Sequence, residues 1–201
     1  MPWHDVASSL NFSTSQLLNF STSQLLNSST SQLLNSSTSQ LLNMSSLSHL
    51  DEAGNPNMVD VGGKKISQRS ATARALVKVT PEILAQLEGG ELHSKKGPVF
   101  QTAIIAGIMA AKRTGELIPL CHPLGLDDCK IHITVNEEKL IEITCKASLF
   151  AKTGVEMEAL TGASIAALTV YDMCKALSHD IVIHSVMLME KNGGKSDFKR
   201  P

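Results

Sequence analysis

Asp172 and Lys175 stand three residues apart in a segment that is otherwise mostly apolar or small, GVEMEALTGASIAALTVYDMCKAL. The segment predicts a helix from Val155 to about Leu177, and the spacing puts the carboxylate and the ammonium on one face. Counting from Glu158, the positions Thr161, Ile165, Leu168, Asp172 and Lys175 step by three and four residues and share that stripe. Glu158 and Asp172 are then about 21 Å apart along the axis. Two carboxylates so far apart cannot flank one bond within a chain. On spacing alone, Asp172 and Lys175 make a helix salt bridge as readily as an acid–base pair. Their neighbours Tyr171, Met173 and Cys174 are types that bury, and a carboxyl beside buried groups has a tunable pKa.

A second polar cluster lies in LIPLCHPL, residues 117–124. Pro119 and Pro123 cannot continue a regular helix, so the segment is a rigid connection that leaves one. His122 held there is suited to orienting a substrate or moving a proton near neutral pH. It reads equally as a capping or core histidine. Cys121 and His122 are adjacent, point apart, and make a poor nucleophile–base pair. Lys95 and Lys96 precede Gly97 in HSKKGP, while Lys191 and Lys195 flank a Gly-Gly turn in EKNGGKSDFKRP. Glycine lets backbone N–H groups approach an anion and lysine supplies charge, so the second cluster, around the Gly-Gly turn, is compatible with phosphate. The second is explained as well by a solvated tail, since it is not a Walker A loop. No H-E-x-x-H, cysteine pair or acidic calcium loop is present, so no metal site is expected.

These residues need elements to carry them. ATARALVKV, residues 71–79, alternates with Ala73, Ala75, Val77 and Val79 on one face, the pattern of a half-buried strand. Thr80 and Pro81 start a short helix that Gly89-Gly90 should end. VFQTAIIAGIMAAKRTGEL, from Val99, reads as a helix of nearly five turns whose small residues Ala103, Ala106, Gly107 and Ala110 allow close packing. CKIHITV and LIEITCKASLF form a hairpin about the turn Asn136–Lys139, and IVIHSVMLM, from Ile181, is the last strand. The order is β-α-α-β-β-α-β. With one helix set aside, it is βαββαβ, an α+β ferredoxin-like arrangement in which helices cover one face of an antiparallel sheet.

The chain has 201 residues, 42% of them hydrophobic, which suffices for one core, yet only 3% are aromatic. A core of Leu, Ile, Val, Ala and Met follows, without the aromatic platform that stacks single-stranded nucleic acid. With 18 basic and 19 acidic residues the net charge is −1, which lacks the basic excess of a nucleic-acid binder. Cys121, Cys129, Cys145 and Cys174 form no C-x-x-C pair and are expected to be reduced thiols of a cytosolic protein. No apolar run reaches the ~18 residues of a membrane span, and MPWHDVASSL lacks the basic and apolar regions of a secretory signal.

Residues 10–43 repeat an eight-residue unit, LNFSTSQL and then LNSSTSQL, with no charged side chain. Its leucines are too sparse to bury a core, so residues 1–43 are expected to be a disordered low-complexity extension. Composition changes abruptly at Met44, which marks residues 44–201 as the folded domain.

The segments NMVDVGGK, AAKRTGELIPLCHPL, KTGVEMEALTGASIAALTVYDMCKAL and KNGGKSDF resemble the molybdenum cofactor biosynthesis protein C family, the cyclic pyranopterin monophosphate synthases. The resemblance runs from about Leu47 to Arg200. It implies a cytoplasmic lyase of the phosphorus–oxygen type with a ferredoxin-like fold. The implied reaction converts (8S)-3′,8-cyclo-7,8-dihydroguanosine 5′-triphosphate to cyclic pyranopterin monophosphate and releases diphosphate. No cofactor or bound metal is required, although Mg²⁺ is a natural companion of the triphosphate. The partners implied are that small-molecule substrate and further copies of the chain, a homohexamer built as a trimer of dimers with active sites at the dimer interface. Nucleic acid and membrane are not among them. By position, Asp172 matches the catalytic acid or base, Lys175 and Lys96 match active-site lysines, and His122 a catalytic group. Leu120, Cys121 and His122 match one substrate-contacting loop and Met157 and Glu158 another. Lys191 and Lys195 match a basic rim for the triphosphate, and Asp60 and Arg69 fall on similar positions. The tail reads GGKSDF where the family often carries one more glycine before Asp197.

Overall fold

The backbone pattern that organises the fold is the alternation along SQRSATARALVK. In the computed structural model, which describes residues 54–201, this segment is strand β1, Ser67–Lys78. Ala71, Ala73, Ala75 and Val77 point into the core and the intervening side chains point away from it. The extension 1–43 expected from the repeat lies outside the described residues.

After β1 come helix α1 (Pro81–Leu84), strands β2 (Leu87–Glu88), β3 (Glu91–Ser94) and β4 (Gly97–Pro98), and helices α2 (Val99–Ala111) and α3 (Thr114–Leu117). Strands β5 (Asp128–Val135) and β6 (Ile141–Ala151), helix α4 (Glu156–Cys174), and strands β7 (Val182–Asn192) and β8 (Phe198–Lys199) complete the order. The main sheet runs β5-β6-β1-β7-β8 with every neighbouring pair antiparallel, so the fold is α+β. β1 pairs with β6 without a shift from Ser67↔Ala151 to Val77↔Ile141. β7 pairs on its other side with register shifts between Thr72 and Ala73 and between Leu76 and Val77. The β5–β6 hairpin turns where Asn136 accepts at Oδ1 from Leu140 N (3.0 Å) and Lys139 takes a left-handed φ of 62°.

Helices α2 and α4 pack on the alanine face of the sheet, and their contact is made of small side chains. Ala103, Ala110 and Ala111 of α2 and Ala163, Ala166 and Ala167 of α4 are all buried. Gly107 and Gly162 meet at the crossing, and a Cβ on Gly162 would lie 2.6 Å from Cys145 Sγ in the sheet beneath. Small residues there let the helices and sheet approach to backbone contact, which explains how a chain so poor in aromatics fills its core.

Five expectations are corrected. The helix after Thr80 ends at Leu84 rather than at the glycines. Gly89 (φ 58°) and Gly90 (φ 83°) instead turn a tight hairpin between β2 and β3, because two successive positive φ angles suit a two-residue turn of type I′. HSKKGP is a second small hairpin, β3–β4, in which Ser94 pairs with Gly97 and Lys95-Lys96 form the tip. The long helix from Val99 breaks after Ala111: Arg113 N bonds back three residues to Ala110 O (2.9 Å), and Thr114 Oγ1 takes Ala111 O (3.0 Å). The last strand continues to Asn192, so Lys191 is a strand residue half-buried against its surroundings rather than part of a solvated tail. The helix expected at 155–177 begins and ends a little inside those bounds.

Candidate active site

The residues expected to do chemistry fall into two groups at opposite ends of α4. At its C-terminal end, Asp172 sits in the last turn, where the final carbonyls lack intrahelical donors and favour cations. The tip of the β3–β4 hairpin delivers one. Lys96 Nζ donates to Asp172 Oδ2 at 2.7 Å and to the Asp172 backbone carbonyl at 3.0 Å. Lys175 Nζ pairs with the other carboxylate oxygen, Oδ1, at 2.9 Å. The Lys96 ammonium first and the Lys175 ammonium second hold the Asp172 carboxyl down at about 2. Lys175 is raised in turn by its bond to Asp172. The three side chains are about half exposed, so the cluster opens to solvent with a carboxylate flanked by two ammonium groups. The expected i, i+3 pair is there, but the tuning differs from expectation. Burial raises Asp172 only as a minor effect; the side chain lies half exposed, and two cations outweigh burial and lower it.

The other group surrounds the first turns of α4. Glu158 is 3% exposed although it is a carboxylic acid, and burial pushes its pKa up, with Glu156 adding to the effect. Met157, one residue before it, points outward and is exposed. Glu158 forms the floor of a cleft of about 370 Å³ walled by Ala111–Glu116 and Pro123–Gly125. Cys121 feels Glu158: its thiol is raised by burial and then by the Glu158 charge. Cys121 N closes a turn onto Ile118 O at 3.0 Å, which places Leu120, Cys121 and His122 on one tight bend. Gly115 lies against that bend: a Cβ there would stand 3.0 Å from Pro123 Cα and 3.4 Å from His122 O. Within one chain, then, His122 belongs with Glu158 and is not brought to Asp172.

A basic rim adjoins the same end of α4. Lys191 Nζ lies 3.5 Å from Glu156 Oε1. Arg69 Nε donates to Ala151 O at 3.4 Å. Its guanidinium also stands beside the Gly193-Gly194 turn that precedes Lys195. Gly193 has φ 86° and its Cβ position is occupied by Gln68 O, so only glycine fits this turn. Asp197 closes the turn by accepting from Gly193 N at 3.0 Å, so the shortened GGKSDF tail keeps a defined place for this aspartate. Asp60 Oδ1 accepts from Gly62 N at 2.7 Å, and Lys152 Nζ ties that loop down through Gly62 O at 2.7 Å.

Sequence reasoning missed Lys112, Arg113 and Thr114, which line the cleft over Glu158. The signal was the run KRTG itself, two cations and a threonine before glycine, which lies inside the helix expected from Val99. Among the described residues no three His, Cys, Asp or Glu side chains gather as a metal would need. No helix among them is long and apolar enough to cross a membrane.

Comparison with known proteins shows the family. The MoaC family profile matches residues 58–194. A protein of Xanthomonas oryzae pv. oryzae described as cyclic pyranopterin monophosphate synthase is 56% identical over 152 residues, which are 76% of this chain and 92% of that one. Proteins of the same description from Xanthomonas axonopodis pv. citri and Xanthomonas campestris pv. campestris are each 54% identical over the same length and shares.

Proposed function

The chain belongs to the MoaC family, and we propose that it converts (8S)-3′,8-cyclo-7,8-dihydroguanosine 5′-triphosphate to cyclic pyranopterin monophosphate with release of diphosphate. It is a lyase of molybdenum cofactor biosynthesis. The observation that carries the chemistry is the Asp172 carboxylate bracketed by Lys96 and Lys175. The reaction opens a purine ring, builds a pyrazine ring and closes a cyclic phosphate, and each stage moves protons. Asp172, ionised at neutral pH, serves as the base that accepts a proton. Lys175 and Lys96, on its two oxygens, are the adjacent donors that return one and steady the negative charge that develops. His122 supplies a second proton-transfer group. Arg69, Lys191 and Lys195 receive the triphosphate and stabilise the departing diphosphate. Leu120, Cys121, Met157 and Glu158 shape the pocket for the bicyclic base, with Asp60 bordering it.

The two groups stand about 21 Å apart on α4, too far to act on one ring system. Pairing the Asp172 end of one chain with the Glu158 end of another resolves this. A dimer-interface site within a homohexamer, a trimer of dimers, is therefore the assembly we infer. The sheet order β5-β6-β1-β7 with α2 and α4 against it supports a ferredoxin-like reading of the fold. The catalytic unit is residues 44–201, residues 1–43 are an upstream extension, and the enzyme works in the cytoplasm. It needs no cofactor of its own beyond any Mg²⁺ that accompanies the triphosphate.

The test is incubation of the purified full chain with the cyclised triphosphate, following cyclic pyranopterin monophosphate and diphosphate together. Neither product forming from folded, assembled protein would refute the reaction.

A further inference from the structure

Lys96 reaches Asp172 from a two-residue hairpin tip that has little core of its own, so something else must fix that tip. Helix α2 starts immediately after the hairpin, and its N-cap position is Pro98, whose side chain makes no cap hydrogen bond. Two N–H groups of the first turn, those of Phe100 and Gln101, are taken by Glu91 at the opposite end of the hairpin. Glu91 Oε1 accepts from Phe100 N at 2.7 Å and from Leu92 N at 2.8 Å, and Oε2 accepts from Gln101 N at 3.1 Å. A carboxylate on three backbone N–H groups, two of them in the first turn of a helix, is held by charge-assisted bonds and by the helix dipole. Across the hairpin, Ser94 Oγ accepts from Lys96 N at 3.1 Å and donates to Gly97 O at 3.3 Å. One end of the β3–β4 hairpin is thus pinned to the start of α2 through Glu91. Its tip is pinned to the end of α4 through Lys96.

We propose that Glu91 is a positioning residue for the reaction: by capping α2 with its carboxylate, it sets where the hairpin presents the Lys96 ammonium to Asp172. Glu91 touches neither substrate nor Asp172 and acts only through Lys96. The proposal rests on the catalytic reading of Lys96 and Asp172 given above. Its structural half, the coupling of Glu91 to Lys96, stands apart from that reading. A misplacement of the ammonium by about 1 Å is enough to lower turnover by about a hundredfold.

Glu91→Gln keeps the shape but leaves one acceptor where the carboxylate has two, so at least one backbone N–H loses its partner. Two readouts separate positioning from simple stabilisation. The first is steady-state kinetics of the full chain. We expect kcat to fall about tenfold or more while KM holds, because the basic rim lies at the other end of α4. The second is brief acetylation with peptide-resolved mass spectrometry at neutral pH, with the exposed Lys78 as reference. Lys96 held on two acceptors reacts slowly in the parent chain, and Glu91→Gln should accelerate its labelling several-fold and leave Lys78 unchanged. Unchanged kcat overturns the proposal, and so does a lowered kcat with Lys96 labelling at the parental rate, since Glu91 would then be a structural cap alone. If Glu91→Gln fails to assemble, Ser94→Ala loosens the same tip from its other side and must give the same pair of changes. A parent chain without turnover would defeat the catalytic reading, while the labelling experiment would still decide whether Glu91 governs Lys96.

Discussion

Replacing Gly107 by alanine tests whether the tight α2–α4 crossing is what aligns the cleft. A Cβ built there lies 2.7 Å from the Gly162 carbonyl oxygen and 3.2 Å from Ala166 Cβ, and it also meets the Ile131 terminal methyl. Ile131 can turn aside, whereas the carbonyl belongs to a helix backbone and cannot. Restoring an ordinary C···O separation of about 3.3 Å requires the helices to part by about 0.6 Å. Overfilling a packed contact of this kind costs about 1–3 kcal/mol. Alanine returns about 1 kcal/mol through its higher helix propensity. The net destabilisation is up to about 2 kcal/mol, which for a chain of this size lowers Tm by up to about 8 °C. Function should suffer as well, because α2 runs on into the wall of the cleft while α4 carries its floor, Glu158. Parting them moves one against the other, and kcat/KM should fall about tenfold. Thermal unfolding followed by circular dichroism at one fixed protein concentration, alongside product formation, reads both effects. A Gly107→Ala protein with a Tm above the parent and an unchanged kcat/KM would refute the reasoning, since helix propensity would then outweigh a contact that was never tight.

Asp172→Asn should lower kcat by at least about a hundredfold and leave the far-ultraviolet circular dichroism unchanged, because the side chain is exposed; near-parental turnover would remove Asp172 from the proton-transfer role. Lys96→Met deletes the largest cause of the depressed Asp172 pKa, so carboxyl ¹³C NMR should find Asp172 titrating well above about 2. The sign follows from a folded pKa below the unfolded one. The parent gains stability from this group above the ordinary carboxylate range and loses it as pH falls towards about 2, and Lys96→Met moves that loss to higher pH. An unmoved titration would mean that Lys175 alone sets it. For Glu158 the sign is opposite, since burial raises its folded pKa above the ordinary 4.5. Stability is fullest below that ordinary value and declines as pH rises through the folded one. Glu158→Gln should therefore raise the urea midpoint at pH 7 and abolish that decline while lowering turnover; a midpoint below the parent's would contradict the buried-carboxylate account. A chain beginning at Met44 should retain the full chain's kcat/KM, measured under the same conditions, and a large loss would assign residues 1–43 a part in the site.

Side chains whose periods matched their elements were legible before any coordinates. The alternation of Ala73, Ala75 and Val77 identified a half-buried strand, and the three–four stepping from Glu158 to Lys175 identified one helix stripe, because strand and helix geometry are local. The type I′ turn at Gly89-Gly90 was misread as a helix end because glycine serves both roles, and only the pairing of Glu88 with Glu91 distinguishes them. The break after Ala111 was invisible for a similar reason: Lys112 and Arg113 are good helix formers, and it is the approach of Gly115 to Pro123 that turns the chain.

By itself, the sequence determined the residue types of the site, the helix that carries Asp172 and Lys175, the hairpin that carries Cys129 and Cys145, and the family. Each of these is written in spacing or in local motif. Only the tertiary structure decided that Lys96, 76 residues away in sequence, closes on Asp172. Only it showed that Glu158 is buried while Asp172 on the same stripe is exposed. It also separated His122 from the Asp172 end of α4. The physical reason is that a helix stripe specifies direction but not cover. Whether a carboxyl on it is buried and raised, or exposed and lowered by two ammonium groups, depends on what distant segments pack there.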